Sequence, residues 1–213
     1  MAFAAKLIES TPGCIRLPFT ILIDKQEKAA FSFDGIRARS FIDKDMREYT
    51  PRTERRFLGI GMGDYSIDGY QDRIALERKS MADFQGTLLG WQRETEAGEW
   101  TINNDRRARF KRELKTLSAI ECKAVIVEAN LSQCLEDAPQ YGVRTSAENA
   151  KYLFSTYLSW LEEFPGVPWI FMPDRRMAEV AAFRIMEKFW ARHAKERRQL
   201  QRLKQKQLAG MET

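Results

Sequence analysis

The sequence predicts an α/β domain with a central mixed β-sheet flanked by helices. Three observations carry that expectation. Short apolar runs rich in β-branched residues alternate with amphipathic stretches of helical spacing. The order reads strand, strand hairpin, helix, strand, helix, strand, helix, with no internal repeat. At 213 residues and 44% hydrophobic content, the chain suits one ordinary domain, or one domain with an appendage.

Phe19–Asp24 (FTILID) reads as a buried strand ending in an acid. After AAFSFDGI, the charged run 37–56 reads as a long loop or partly helical excursion. The glycine-interrupted FLGIGMGDYSI (57–67) and RIALERK (73–79) are strand-like, with turn chemistry in DGYQD (68–72) between them. Met81, Phe84, Leu88 and Leu89 recur at helical spacing, and so do Phe110, Leu114 and Leu117. Between those helices, the polar stretch 90–105 with Trp91 and Trp100 reads as an inserted loop or small hairpin. AVIVEA (124–129) is a buried strand ending at Glu128.

Thr145 and Glu148 are spaced as a capping box. The stripe Ala150, Phe154, Tyr157, Leu158 and Leu161 follows, and Pro165-Gly166 ends it. VPWIFM (167–172) is one more strand. The last helix runs from about Arg175 towards Leu208, amphipathic through Val180, Phe183, Met186, Phe189 and Trp190. Its second half carries only Leu200, Leu203 and Leu208 among charges and glutamines.

Composition narrows the chemistry. Cys14, Cys122 and Cys134 form no Cys-x-x-Cys pair, which fits a reducing compartment and disfavours a zinc site. His193 is the only histidine, so mechanisms needing two or three imidazoles are excluded. No segment reads as a signal peptide or a membrane span. A cytoplasmic protein is expected. The net charge is +5, and Arg184–Lys206 holds nine basic residues against Glu187 and Glu196. A polyanionic partner or a solvated helix end would each account for that bias.

The stretch 61–84, GMGDYSIDGYQDRIALERKSMADF, holds the most specific pattern. Folding it about the turn near residues 70 and 71 leaves Asp64 and Glu77 almost equally far from the turn. They become cross-strand neighbours with side-chain roots about 5 Å apart. Alternation puts Lys79 on the face of Glu77 and sends Arg78 to the other. An isolated Glu-Arg-Lys is ordinarily solvated surface. Two carboxylates beside one ammonium, however, suit a hard cation such as Mg²⁺ or Mn²⁺ and metal-assisted phosphodiester hydrolysis. Asp24 or Glu27 would reach the same place from a neighbouring strand.

These residues carry a resemblance. GDY…ERKSMADF resembles the Gly-Asp…Glu-Arg-Lys-x-x-x-Asp motif of the XPF-type structure-specific nuclease domain, in the restriction-endonuclease-like superfamily. ILIDKQEK resembles that family's opening strand, RARFKREL its arginine-rich helix, and VIVEAN its later strand. The texture of FPGVPWIFMPDRRMAEVAAFRIMEKFW is similar to stand-alone bacterial and phage members, and the likeness covers roughly Phe19 to Trp190.

The resemblance implies a restriction-endonuclease-like nuclease domain, placed over 1–192, and the basic, polar composition that follows reads as a helical extension over 193–213. It implies an Mg²⁺-dependent DNA endonuclease, with Mn²⁺ as a substitute, cutting branched or single-strand/double-strand junction DNA in repair or recombination. Asp64 and Glu77 would ligate the metal, with the Arg78 carbonyl as a third donor and Asp24 beside the metal or its water shell. Lys79 would position the attacking water. Arg78 and Asp83 would support the site. Arg106, Arg107, Arg109 and Arg112 would contact DNA unless they form a solvated helix face, as would Trp100 unless 90–105 is a plain surface hairpin with Trp100 packed on the core. A homodimer is also implied. Two features depart from the family: Gln26 replaces its arginine, and 90–105 is longer than its linker. An inactive junction-binding scaffold of the same fold is the alternative.

Overall fold

A computed structural model describes residues 14–39, 46–59, 61–94, 100–103, 105–140 and 144–193, with Glu196 and Gln199. The first strands are β1 (Cys14–Arg16), β2 (Ile21–Asp24), β3 (Arg37–Arg39), β4 (Met46–Thr50) and β5 (Thr53–Arg56). Next come β6 (Tyr65–Ile67), β7 (Ile74–Lys79), α1 (Met81–Leu89), β8 (Trp91–Glu94), β9 (Trp100–Asn103) and α2 (Asp105–Ser118). The chain continues through β10 (Cys122–Val127), α3 (Leu131–Glu136), α4 (Ser146–Glu163), β11 (Trp169–Phe171) and α5 (Arg175–Arg192).

Six strands form the central sheet in the order β11-β10-β7-β6-β2-β5. β7, β10 and β11 run parallel, β6 is antiparallel to both β7 and β2, and β5 is parallel to β2. The predicted mixed sheet flanked by helices is therefore present. Each face of the sheet has its own core. Ile74, Leu76 and Ile126 pack with Tyr65 against Ala182, Phe183, Met186 and Phe189 of α5. Ala75, Val125 and Val127 pack with Phe84, Phe110, Leu114, Leu153 and Trp160 from α1, α2 and α4. Burial on both faces explains the continuous apolar runs of β2 and β10.

Among its described residues, the run 37–56 is mostly strand rather than the expected loop or helical excursion. It supplies β3 and β4 to a small sheet of order β1-β4-β3, and β5 to the edge of the main sheet. Three of the four β5 residues are exposed. A charged edge strand held by backbone pairing shows no apolar period, and its charges discourage further strand addition. Among the described residues of FLGIGMGDYSI, only Tyr65–Ile67 form a strand, because Gly59, Gly61 and Gly63 all adopt positive φ in the approach to it. Stretch 90–105 contains the small antiparallel hairpin β8–β9.

The Thr145–Glu148 capping box forms as the spacing predicts. The apolar stripe of α4 splits, however. Leu153, Tyr157 and Trp160 are buried, whereas Phe154 and Leu158 are 41% and 47% exposed. The last helix is described to Arg192, and most of the extension over 193–213 lies outside the described residues. All three cysteines are free. Among the described residues, no helix is long and apolar enough to cross a membrane.

Candidate active site at the β6–β7 hairpin

The hairpin closes through Gly69, at φ 80°, with Tyr70 N–H donating to the Ile67 carbonyl and Arg73 N–H to that of Tyr70. Tyr65 pairs with Leu76, so Asp64 and Glu77 fall opposite one another, in the predicted register. Gly63 makes this approach possible. A Cβ there would lie 2.8 Å from the Leu76 carbonyl oxygen, and its φ of 72° is one that other residues rarely adopt. On the other side, the Asp24 N–H donates to the Asp64 carbonyl at 2.8 Å. Asp64 thus sits between the ends of β2 and β7.

Strand alternation separates the charges as predicted. Glu77 and Lys79 face α1 and α2. The Lys79 ammonium, on a residue only 8% exposed, donates to Glu77 Oε1 at 2.9 Å and lies 3.8 Å above the Phe110 ring. The Arg78 N–H donates to Asp64 Oδ2 at 2.7 Å. Burial and the neighbouring Glu77 carboxylate nevertheless push the Asp64 carboxyl well above the usual carboxylate range. Glu113 of α2 meets the same field: burial, then Glu77, raises its carboxyl too. Sequence reasoning missed Glu113, whose only signal is its position three residues after Phe110 on one helical face.

Arg78 points to the opposite side of the sheet. Its guanidinium lies 3.3 Å from Glu27 and 3.1 Å from Glu128, and Arg175 of α5 meets the same Glu128 oxygen at 2.7 Å. Arg175 also donates to the carbonyls of Ala29 and Ala30. This cross-brace, exposed only at Arg175, holds the turn after β2 against α5. Asp83 is a support of another kind. Its N–H donates to Ser80 Oγ, the N-cap of α1, and its carboxylate accepts from Ser80 Oγ and Arg106. Burial opposes the charge on Asp83, but Ser80 and Arg106 outweigh it and hold the carboxyl below its ordinary range.

A cleft of about 630 Å³ opens over the hairpin, lined by Asp24, Asp64, Glu77, Lys79, Asp83 and Glu113, with Lys28, Arg106 and Arg109 also at its wall. Asp24 is buried, and each of its carboxylate oxygens accepts a backbone N–H, from Gln26 at 2.7 Å and Leu58 at 2.8 Å. Among the described residues, no three His, Cys, Asp or Glu side chains form a set that could hold a metal ion. The expected trio Asp24, Asp64 and Glu77 is thus not assembled as one ligand set. Two opposed carboxylates, one of them pushed towards neutrality by burial and by its neighbour, still fit a hard divalent cation completed by carbonyl and water oxygens. Arg109 pairs with Glu113, while Arg107 turns away from the cleft and donates to the Tyr152 hydroxyl. The side chain of Trp100 lies outside the described residues.

No family model and no curated protein matches the chain. Among solved structures the chain is similar to XPF from Aeropyrum pernix, at 15% identity and a TM-score of 0.48, over 84% of this chain and 69% of that one.

Proposed function

We propose that this chain is a metal-dependent DNA endonuclease acting on branched or single-strand/double-strand junction DNA. The observation that carries the reading is the convergence of Asp64, Glu77 and Lys79 on one side of the β6–β7 hairpin, inside a cleft walled by arginines. Opposed carboxylates with an ammonium alongside serve phosphodiester hydrolysis better than any other chemistry these residue types support.

Asp64 and Glu77 would hold Mg²⁺ or Mn²⁺, with the Arg78 carbonyl as a further donor and Asp24 acting through the water shell. The ion would supply Lewis acidity towards the phosphoryl oxygen and acidify a bound water. Every other contribution comes from the chain. The Lys79 ammonium has three donors and commits one to Glu77. The remaining two can orient the attacking water or meet charge that builds on the phosphoryl oxygens. Phe110 beneath the ammonium and the buried sheet behind it exclude bulk water, which strengthens those interactions. Arg106 and Arg109 at the cleft wall meet the flanking phosphates without reading sequence. Arg78 and Asp83 act through the brace and the helix cap.

A role in DNA repair or recombination follows from junction cleavage. Pairing into a homodimer would use the exposed Phe154 and Leu158, and light scattering tests it. The test of function is purified chain with flap, splayed-arm and Holliday-junction DNA, in Mg²⁺ or in EDTA. Cleavage in Mg²⁺ that EDTA abolishes and Glu77→Ala eliminates supports the reading. Binding without cleavage would move the chain to the scaffold alternative.

A further inference from the structure

Outside the cleft, two arginines converge on one aromatic ring. The Arg107 guanidinium lies 5.3 Å from the centroid of Tyr152, and the Arg144 guanidinium lies 4.5 Å from the same centroid. Arg107 also donates to the Tyr152 hydroxyl. Three separate elements supply this group: the first turn of α2, the residue before the α4 cap, and the second turn of α4.

Two cations drawn to one ring repel each other, so the arrangement is stable only if the ring and solvent compensate or an anion joins them. Among the described residues, neither arginine forms an ion pair with a carboxylate, unlike Arg73, Arg78, Arg106, Arg109, Arg175, Arg176 and Arg184. Glu148 is within electrostatic reach of Arg144, but its Oε2 accepts from the backbone and hydroxyl of Thr145 in the capping box. The cationic pair is therefore open to an anion from outside.

Its position selects the anion. Arg106 and Arg107 are consecutive on α2: Arg106 is tied to Asp83 at the cleft wall, and Arg107 is turned to α4. A chain of phosphates leaving the cleft past Arg106 on the α4 side would find Arg107 as the next cation of α2, with Arg144 on the same Tyr152 ring. We propose that Arg107, Tyr152 and Arg144 form a second anchor for the DNA backbone, on the α4 side of α2, that fixes the direction in which one arm of the substrate leaves the cleft. This rests on the nuclease reading of the cleft. Tyr152 fixes both guanidiniums in place, and phosphate oxygens complete their hydrogen bonding, so the anchor adds affinity and direction without sequence preference.

The experiment measures binding of the full chain to a fluorescent splayed-arm duplex across a salt series, in Ca²⁺, alongside steady-state cleavage in Mg²⁺. Wild type is compared with the double variants Arg107→Gln/Arg144→Gln and Arg107→Lys/Arg144→Lys. Loss of two phosphate contacts lowers the slope of log K against log salt by about two. The glutamine pair should show that loss and a raised KM, with kcat retained at saturating DNA. The lysine pair, which keeps the charge, should recover most of the slope. A glutamine pair that binds with the wild-type slope overturns the anchor while leaving the nuclease reading intact. A lysine pair as weak as the glutamine pair also overturns it, because the loss would then come from packing on Tyr152. If wild type neither binds nor cuts the duplex, the nuclease reading fails and takes the anchor with it.

Discussion

Lys79 donates to Glu77 at 2.9 Å while its ammonium rests 3.8 Å above the ring of Phe110. The two residues lie on one face of β7, two positions apart, so neither can lose its charge without changing the other. Replacing Lys79 by Ala leaves Glu77 facing Asp64 with no ammonium beside them. We expect a loss of cleavage of about 10²–10³-fold, the size seen when one aligned donor is removed from an active site. Glu77→Gln should cost at least as much. Because the two act as a unit, the double variant should be scarcely worse than either single one. Single-turnover rates at saturating DNA test this, and additive losses would show that the residues work independently.

As a proposed metal ligand, Asp64 would set function against stability. Burial and Glu77 both disfavour its charge. Asp64→Asn keeps an oxygen to accept the Arg78 N–H but removes the repulsion with Glu77. In metal-free buffer at neutral pH the variant should melt a few degrees higher than wild type, the response to ~1 kcal/mol in a domain of this size. Added Mg²⁺ should raise the wild-type melting temperature and leave the variant unmoved. A variant that melts lower without metal would mean that the Asp64 carboxylate contributes to folding rather than to binding.

The hairpin depends on Gly63. Alanine there must tolerate a φ of 72° and a Cβ placed 2.8 Å from the Leu76 carbonyl oxygen, which belongs to backbone and cannot swing away. Strain at such a φ costs about 1–3 kcal/mol by itself, and the contact adds to it. In urea, Gly63→Ala should lower the unfolding midpoint with the slope unchanged. Cleavage should fall further than stability does, because any relief of the contact moves Asp64 away from Glu77. An active variant of unchanged midpoint would show that this approach is looser than the distance implies.

The sequence showed this hairpin clearly because both of its determinants are local. Turn residues at 68–72 set the fold-back, and period-two alternation set the faces, so the opposition of Asp64 to Glu77 and the divergence of Arg78 followed. The capping box at Thr145 was legible for the same reason. What depends on packing between distant elements was not. Glu113 reaches the cleft only because α2 lies across the hairpin, and Arg106 rather than Arg107 faces the cleft because Phe110, Leu114 and Leu117 fix the rotation of that helix. Strands β3, β4 and β5 were hidden because their ladders are made of backbone groups while charged side chains dominate the pattern. The apolar stripe of α4 holds only in part: Tyr157 and Leu161 pack in the core, whereas Phe154 and Leu158 are apolar yet lie outside it.

At the opposite end of β7, a charged clamp fastens the end of α5 to the sheet. Arg73 meets Glu121 at 2.8 Å and Glu196 at 2.7 Å, and the two ring nitrogens of His193 lie 2.8 Å from Glu196 and 3.1 Å from Glu121. Hydrogen bonding from Arg73 holds the Glu121 carboxyl below its ordinary value of 4.5, and His193, followed by Arg73, does the same for Glu196. A carboxyl lowered in the folded state stabilises the protein above its unfolded pKa, and that contribution disappears as pH falls through the lowered folded value. Glu121→Gln should therefore melt below wild type at neutral pH, and the two curves should converge as pH drops below 4.5. High salt should also narrow the gap, because the two carboxylates of the clamp are exposed to solvent. Melting temperatures of both proteins from pH 7 down to pH 3, at low and high salt, test the clamp. A gap that stays constant across that range would mean that Glu121 acts through packing and not through its charge.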